Sequence, residues 1–392
     1  MSEKYECMKV VIRVSKQKEM LHMLKELVMM DSGSYDKAGV DKVGSYLINA
    51  FKELGFVETM FKQEEYGHHI LLKQEKTNKQ PSILLMLHMD TVFPMGTSAA
   101  RPFVVKEDKA YGPGVADMKG SHVTTYFALK TLHETDPAIL NQIEVLLTSD
   151  EEIGAPSGRS IIEEQAIGKK AVLVMEPARK DGSVVTFRRG GGRYVMRVEG
   201  IAAHSGNDPE KGASAVEELA YKIIALHQLS DATAGTHVNV GVIRGGTAVN
   251  TVADYAEADI DIRISKMEQA RELEAAIQTI ANETRIKGTS TSVKGGITRP
   301  PMIRSNKTIQ LYELVREQAR LEGIEVGETS SGGGSDASYT SALGIPTIDG
   351  MGPVGSGFHS EEECLQVSSL EERTTLLVNV IQRVLSKEVV FK

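Results

Sequence analysis

The chain has 392 residues, which is long for a single hydrophobic core and indicates two domains. Its 45 Lys and Arg against 53 Asp and Glu give a net charge of −8, so we expect no nucleic-acid partner, because phosphate binding needs clustered basic side chains. Two cysteines, Cys7 and Cys364, are too few for a disulfide framework or a thiolate metal site. Since no apolar leader and no run of about 18 apolar residues occur, we expect a cytoplasmic protein that makes no membrane contact.

Helical and strand-like patterns alternate in the first half of the chain. Apolar residues at helical spacing predict helices over 15–30 and 37–54, the second closed by Gly55. Short apolar runs predict strands at 70–72, 83–87, 145–147 and 171–175, and helical stretches lie between several of them, at 122–133 and 157–166. Strands that alternate with helices are typical of an α/β domain whose sheet is mostly parallel and flanked by helices.

From residue 184 onward the pattern changes to strand, helix, strand, strand, helix and strand. The predicted bounds are 184–198, 213–228, 236–243, 251–264, 267–281 and 289–295. This β-α-β-β-α-β order is typical of a ferredoxin-like α+β unit. The α/β pattern then resumes with a helix at 305–322, a strand at 345–348 and a helix at 368–386. The sequence therefore predicts a discontinuous larger domain, 1–180 and 297–392, with a smaller domain, 181–296, inserted into it.

Acidic and histidine side chains follow three of the predicted strands, at the point where each strand ends. They are His88 and Asp90 after the second apolar run, Asp150, Glu151 and Glu152 after the third, and Glu176 after the fourth. Open α/β sheets bind ligands beyond the carboxyl ends of their strands, so three such ends favour a metal site over coincidence. Taken alone, each has an ordinary alternative, either a hydrogen-bonded core histidine or acids in a solvated turn. For Asp150 we expect a solvated or structural turn position.

Two further candidates, Asp117 and His359, lie in Gly-rich loops. Asp117 is in YGPGVADMKG, directly before a predicted helix, and His359 is in GPVGSGFHSEEE. From these residues alone, an N-cap aspartate and a surface histidine are the better interpretations. The two become metal-ligand candidates only together with motifs elsewhere in the chain.

Five motifs occur in a fixed order: HMDT, GPGVADMKG, TSDEEIG, MEP and GFHSEEE, with the inserted domain between the fourth and the fifth. In this combination the chain resembles the M20 family of di-zinc peptidases and amidohydrolases, with the closest likeness to its glutamate carboxypeptidase branch. The resemblance runs from the first helix to His359 and beyond. It implies a catalytic di-zinc domain, an inserted lid and dimerisation domain, a homodimer, and two Zn²⁺ per subunit with Co²⁺ or Mn²⁺ as alternatives.

The resemblance implies five metal ligands. His88 and Glu176 bind one zinc ion, while Glu152 and His359 bind the other. Asp117 bridges the two ions. In such sites paired metal ions sit roughly 3.5–4 Å apart and lower the pKa of bound water to about 7.

The resemblance also implies two residues that act beside the metal ligands. Glu151 is the general base, which takes a proton from water and passes it to the leaving amine. Asp90 orients His88, as a carboxylate beside a ligating histidine commonly does. A cis peptide bond between Asp117 and Met118 is expected on the same basis.

Four residues outside these motifs match positions of the family. His204, in GIAAHSGNDPEKG, matches a histidine that crosses a dimer interface and stabilises the oxyanion in the site of the other subunit. Arg299, in GGITRPPM, matches the arginine that binds the substrate carboxylate, for which a planar guanidinium is suited. Asn250 and Arg263 match substrate-binding positions. For the two arginines surface ion pairing is an alternative, and for His204 a loop position without a role.

The function implied is a zinc-dependent hydrolase that cleaves an amide bond next to a free carboxylate, in a small peptide or an N-acyl amino acid, as a glutamate carboxypeptidase does. An N-acyl-amino-acid deacylase of the acetylornithine or succinyl-diaminopimelate type is the alternative. A tripeptide aminopeptidase is a third interpretation, against which Glu176 counts because aminopeptidase members usually have Asp there. A metal-binding protein without catalysis is a fourth, and the intact Glu151 counts against it.

Overall fold

The computed structural model describes residues 14–75 and 81–392. Cys7 and the segment on which the leader prediction rests lie outside the described residues. The chain divides into two compact units, of which the second comprises 187–303 and 331–334. The first comprises the described residues up to 186 together with 304–330 and 335–392. The predicted insert at 181–296 has bounds several residues away from these and stays a prediction.

The α-helices of the described residues are α1 (Gln17–Val28), α2 (Lys37–Lys52), α3 (Thr97–Ala100), α4 (Gly120–Thr135), α5 (Arg159–Ala166), α6 (Ala215–His227), α7 (Met267–Asn282), α8 (Asn306–Leu321), α9 (Ala337–Ala342) and α10 (Ser368–Leu385). The strands up to the middle of the chain are β1 (Phe56–Phe61), β2 (His69–Gln74), β3 (Ile83–His88), β4 (Val104–Lys106), β5 (Lys109–Tyr111), β6 (Ile143–Thr148), β7 (Ala171–Val174), β8 (Val184–Arg188) and β9 (Gly190–Glu199). The later strands are β10 (Ala203–His204), β11 (His237–Gly245), β12 (Thr251–Val252), β13 (Tyr255–Ile264), β14 (Ser290–Arg299), β15 (Glu328–Ser331), β16 (Thr347–Ile348), β17 (Gly355–Ser356) and β18 (Cys364–Gln366). No helix in the described ranges is long and apolar enough to cross a membrane.

The first unit is built on a six-stranded sheet with the order β1-β2-β6-β3-β7-β16. Strands β6, β3, β7 and β16 run parallel to one another, while β2 is antiparallel to both of its neighbours, β1 and β6. The central strands β3, β6 and β7 are buried along their whole length, as expected of parallel strands that are covered on both faces and therefore read as continuous apolar runs. The predicted α/β class with a mostly parallel sheet is confirmed.

The parallel strands place the candidate site. Because β3, β6 and β7 run in one direction, their carboxyl ends meet at one edge of the sheet. His88 is the last residue of β3, the acids 150–152 follow β6, and Glu176 follows β7. The loop that carries Asp117 leads into α4, a helix with buried side chains on nearly every turn. This helix anchors the loop against the core.

The second unit is a four-stranded antiparallel sheet with the order β11-β13-β9-β14. Its core combines alternate residues of these strands with the apolar faces of α6 and α7. The chain order β9, α6, β11, β13, α7, β14 is the predicted ferredoxin-like order. The predicted strand 184–198 is wrong as one element, since the structure has two strands, β8 and β9, separated at residue 189.

Candidate metal centre

His88 is held so that one ring nitrogen faces a group of carboxylates. Its side chain is buried, and Nδ1 lies 2.9 Å from the main-chain oxygen of Asp90. With the proton on Nδ1, this nitrogen donates to that oxygen and Nε2 presents its lone pair. Nε2 lies 3.1 Å from Oδ1 of Asp117 and 3.7 Å from Oε1 of Glu176. His88 therefore has the orientation of a metal ligand.

Asp117 lies between two histidines. Its Oδ1 faces Nε2 of His88 at 3.1 Å, and its Oδ2 faces Nε2 of His359 at 3.3 Å. The peptide bond from Asp117 to Met118 is cis, as the resemblance implies. A carboxylate with one oxygen on each imidazole has the geometry of a ligand shared by two metal ions.

Glu152 and His359 form the second half of the cluster. Glu152 follows β6 in a short 3₁₀ turn over Glu151–Ile153, and its Oε2 lies 3.1 Å from Nε2 of His359. The other oxygen of Glu152, Oε1, is buried and has no hydrogen-bond partner among the described residues. A buried carboxylate oxygen without a partner is destabilising unless a proton or a cation satisfies it.

The distances in the cluster fit metal coordination. Two ligands on one tetrahedral zinc ion, each about 2.0–2.1 Å from it, are separated by roughly 3.3 Å. The ligand-atom pairs given above are 3.1 to 3.7 Å apart. The donor atoms are imidazole nitrogens and carboxylate oxygens, which suit zinc and related divalent ions. The residues present thus fit two metal ions with Asp117 between them.

The charges of the cluster perturb its pKa values strongly. Burial raises the pKa of Glu152 to about 8, and the charge of Asp117 adds to that effect. Burial and the same charge hold the pKa of Glu176 well above its usual range. Hydrogen bonds to Asp117 and Glu152 raise the pKa of His359 to about 11. Burial opposes ionisation of Asp117, but hydrogen bonds with His359 and His88 hold its pKa below its usual range. Cations that bind here therefore compete with protons.

Glu151 lies beside His88 and Glu176 of the cluster. It lines a small pocket of about 10 Å³ together with His88, Thr148, Glu176 and Asp336. This is about the smallest space that holds one water molecule. Ligand atoms of His88, Glu151 and Glu176 lie within 4.8 Å of one another. Glu151 is thus close enough to act either on a water molecule or on a metal ion.

Asp90 fixes the turn that carries Glu151 and Glu152. Its Oδ1 accepts a hydrogen bond from the amide of Glu151 at 3.2 Å, and its Oδ2 accepts from the amide of Glu152 at 3.1 Å. The hydroxyl of Ser34 donates to Oδ2 at 2.7 Å. The carboxylate lies 3.5 Å from Nδ1 of His88, so the nearer partner of that nitrogen is the main-chain oxygen of Asp90. Asp90 connects the turns after β3 and β6.

Two acidic residues have roles that the sequence does not reveal. Asp150 is buried, and its Oδ2 accepts hydrogen bonds from the amides of Ser157 and Gly158. The solvated turn was therefore the wrong alternative and the structural turn the right one. Glu363 is buried as well, and it accepts from the amides of residues 114, 116 and 117. In the sequence it is one of three consecutive glutamates, and no local pattern separates it from the other two.

The remaining candidates lie in the second unit. His204, in β10, is exposed, and its Nδ1 accepts from the amides of residues 206 and 207 at 3.1 Å. The main-chain oxygen of Asn250 accepts from the amide of Ser205 at 3.0 Å, so Asn250 is close to His204 along the backbone pairing of β10 and β12. The structure brings these two residues together, and their roles stay predictions.

The two arginines have different surroundings. Arg263 forms a bidentate ion pair with Asp261, with both N–O distances at 2.9 Å. This is the ion pairing that was the alternative to substrate binding. Arg299 ends β14, and its side chain packs so closely on Gly334 that a Cβ there would lie 2.6 Å from Cδ of Arg299. The Gly-rich loop thus leaves room for the Arg299 side chain.

The chain is similar to known proteins over most of its length. The model of peptidase family M20/M25/M40 matches residues 84–383. Carboxypeptidase G2 from a Pseudomonas species is 30% identical over 373 residues, which cover 93% of this chain and 89% of the relative. Succinyl-diaminopimelate desuccinylase from Stenotrophomonas maltophilia is 28% identical, covering 78% of this chain and 84% of the relative. The crystal structure of aminopeptidase PepT from Bacillus cereus is similar with a TM-score of 0.77 at 25% identity, covering 95% of this chain and 99% of that one.

Proposed function

Because the chain belongs to peptidase family M20/M25/M40, we propose that it uses two metal ions to hydrolyse an amide bond next to a free carboxylate, as a glutamate carboxypeptidase does. The observation that carries the proposal is the position of Asp117, whose two oxygens face Nε2 of His88 and Nε2 of His359 at 3.1 and 3.3 Å. We assign His88 and Glu176 to one ion, and Glu152 and His359 to the other. Zn²⁺ is the proposed metal, with Co²⁺ or Mn²⁺ as alternatives.

The chemistry divides between the metal and the chain. His88, Asp117, Glu152, Glu176 and His359 would hold two divalent ions, which when bound would polarise the scissile carbonyl and acidify a water molecule. The Glu151 carboxylate accepts the proton of the attacking water and delivers it to the leaving amine. Asp90 keeps Glu151 in place by accepting the hydrogen bond of its amide. The buried strand ends of β3, β6 and β7 form one wall of the site, and their low dielectric strengthens these interactions.

Four residues outside the metal centre are the proposed oxyanion and substrate contacts. We assign the free carboxylate of the substrate to Arg299, whose guanidinium can bind it through two hydrogen bonds. His204 is assigned to the tetrahedral oxyanion, acting across a dimer, and Asn250 is assigned to substrate binding. Arg263 is the weaker assignment because its guanidinium already pairs with Asp261.

A homodimer is part of the proposal, and the second unit has surfaces that suit it. Strand β11 is an edge strand of the four-stranded sheet, with Val242 and Ile243 exposed. Helix α6 exposes Val216 and Ile224. Exposed edge strands and apolar helix faces are surfaces on which a second copy can pair. A small peptide or an N-acyl amino acid is the proposed substrate, and a cytoplasmic location stays a prediction from the sequence.

An N-acyl-amino-acid deacylase is the second candidate. The similarity to a succinyl-diaminopimelate desuccinylase over 78% of this chain favours it. Both candidates use the same metal centre, so they differ in the group on each side of the amide bond.

A substrate panel separates the candidates. The zinc-loaded protein is assayed with an N-acyl-glutamate, a dipeptide ending in Glu, N-acetylornithine, succinyl-diaminopimelate and a free-amine tripeptide. Preference for the two glutamate compounds supports the carboxypeptidase proposal, and Arg299→Ala is then expected to raise KM for them. The matched control is Arg271→Ala, which removes an exposed arginine of α7. Preference for a deacylase substrate or for the tripeptide contradicts the carboxypeptidase proposal.

A further inference from the structure

An open cleft of about 510 Å³ lies beside Glu152 in the first unit. Its volume is in the usual range of small-molecule sites. One wall is the turn 33–36 between α1 and α2, and the other is the segment 91–95 that follows β3. Glu152 and Ile153 complete the lining. Because Glu152 belongs to the proposed metal centre, the cleft begins at the place where the scissile bond would lie.

Large apolar side chains on both walls are exposed. Tyr35 is 76% exposed, Met95 is 72% exposed and Val92 is 40% exposed. Single exposed apolar residues are ordinary, but several that converge on one concave surface are typical of a binding site for an apolar group. Phe93 adds an aromatic ring to the same wall.

The two walls are connected, so the cleft is preformed. Gly33 pairs with Thr91 in an isolated parallel bridge, and the amide of Ser34 donates to the main-chain oxygen of Thr91 at 3.2 Å. A Cβ at Gly33 would lie 2.6 Å from the main-chain oxygen of Phe93, so only glycine allows this approach. The guanidinium of Arg101 lies 4.6 Å from the centre of the Phe93 ring and holds it by a cation–π contact. A preformed site loses little binding energy to ordering.

The lining of the cleft offers no basic side chain to an anion. Its ionisable residues are Asp36 and Glu152, and it contains no Lys or Arg. A free carboxylate would therefore find no ammonium or guanidinium partner among the lining residues. The carboxylate end of the substrate therefore belongs elsewhere, and the cleft is left for the other side of the amide bond.

We propose that this cleft, with Tyr35, Val92, Phe93 and Met95 on its walls, binds a large apolar group on the carbonyl side of the scissile amide. The inference rests on the proposed amide hydrolysis at the metal centre and names the substrate class that this centre takes. Substrates with an aromatic or long aliphatic acyl group, or with an apolar residue there, are preferred. Acetyl groups fill too little of the cleft, and the second carboxylate of a succinyl group would find no basic partner among its lining residues.

The test uses N-acylated glutamates that differ only in the acyl group: acetyl, succinyl and phenylacetyl. For the zinc-loaded protein we expect kcat/KM for the phenylacetyl compound to exceed that for the acetyl compound by about tenfold or more, since one extra methylene in an apolar pocket already changes kcat/KM by about 10-fold or more. Tyr35→Ala and Met95→Ala should each reduce this ratio several-fold. Met60→Ala, which removes a half-exposed methionine of β1 outside the cleft, should leave the ratio unchanged.

Equal kcat/KM for acetyl and phenylacetyl compounds, or a preference for succinyl, overturns the inference even though hydrolysis itself occurs. If none of the compounds is hydrolysed, the proposed function fails, and binding then decides the inference separately. In that case saturation-transfer NMR measures contact between the protein and the ring protons of N-phenylacetyl-glutamate. A signal that Tyr35→Ala weakens and Met60→Ala does not would support the cleft, and no signal with the unmodified protein would overturn it.

Discussion

Glu363 offers the sharpest test of how the Asp117 loop is held. Its Oε1 accepts hydrogen bonds from the amides of Ala116 and Asp117 at 2.9 and 3.0 Å, and its Oε2 accepts from the amide of Gly114 at 2.9 Å. In Glu363→Gln one oxygen remains, and an NH₂ group faces the amide of Gly114. A buried donor left without an acceptor costs about 1–3 kcal/mol, and hydrogen bonds to a charged group are about 1 kcal/mol stronger than neutral ones.

Burial works in the opposite direction, since it raises the pKa of Glu363 to about 7 and the neutral amide removes that penalty. Removing that penalty recovers roughly 3 kcal/mol, against roughly 3–5 kcal/mol lost in hydrogen bonds. The net loss in the free energy of unfolding is therefore about 0–2 kcal/mol. Because Asp117 moves with the loop, we also expect zinc affinity to fall about 10–100-fold, the usual effect of removing a group that orients a ligand.

The assay combines urea unfolding of the metal-free protein with zinc competition against a chromophoric chelator. Glu362→Gln is the matched control, because it makes the same change at the exposed neighbouring residue. If Glu363→Gln equals this control in both stability and zinc affinity, the reasoning about the loop is refuted. A loss of stability without a loss of zinc affinity would mean that Glu363 supports the fold but not the position of Asp117.

Three further predictions concern buried groups. Burial lowers the pKa of His122 to about 3, whereas the ordinary value is 6.5. Between these two pH values the unfolded chain binds a proton that the folded protein does not bind. The unfolding free energy is therefore highest above pH 6.5 and falls as the pH is lowered towards 3. Between pH 6.5 and 4 the unfolding free energy of His122→Gln should fall by roughly 3 kcal/mol less than that of the unmodified protein. Urea unfolding at a series of pH values measures both, and equal pH dependence of the two proteins would contradict this prediction. Asp90→Asn removes one of the acceptors that hold the turn of Glu151. Steady-state assays should show kcat about 10–100-fold lower with KM little changed. An effect on KM alone would refute the positioning role. Glu144→Gln leaves the buried ammonium of Lys169 without its carboxylate partner. Urea unfolding should show a free energy of unfolding lower by about 3–5 kcal/mol, and the double variant with Lys169→Met should recover most of this loss. No recovery would show that the loss comes from packing and not from the unpaired charge.

The larger elements could be predicted because their patterns are local. The continuous apolar runs of β3, β6 and β7 indicate buried parallel strands, and helical spacing predicts α1 and α2. The four-stranded sheet of β17, β18, β5 and β4 was not predicted. Its strands have only two or three residues each and pair segments near 104–111 with segments near 355–366. Such short pieces carry no periodicity, so only the folded chain reveals them.

The candidate site also contains residues that local patterns predict and residues that they do not. Strand ends indicate His88, the acids after β6 and Glu176, because the sheet brings those positions to one edge. Asp117 and His359 lie in loops whose residues alone favour ordinary interpretations, and only the ordered motifs make them ligand candidates. The structure then places Asp117 between His88 and His359. The structural roles of Asp150 and Glu363 could not be predicted from the sequence. What distinguishes these two residues from the acids next to them is burial, which depends on the tertiary structure.

The central claim is that Glu151 is the base and not a ligand, and one measurement tests it directly. Zinc content and hydrolysis are measured on the same samples of the unmodified protein and Glu151→Gln, with the substrate that the panel identifies as best. We expect two zinc ions per chain in both proteins, and hydrolysis about 10²–10⁴-fold slower in the variant. Because ligand atoms of Glu151 lie within 4.8 Å of those of His88 and Glu176, loss of a zinc ion in the variant would make Glu151 a ligand and contradict the account, as would unchanged hydrolysis.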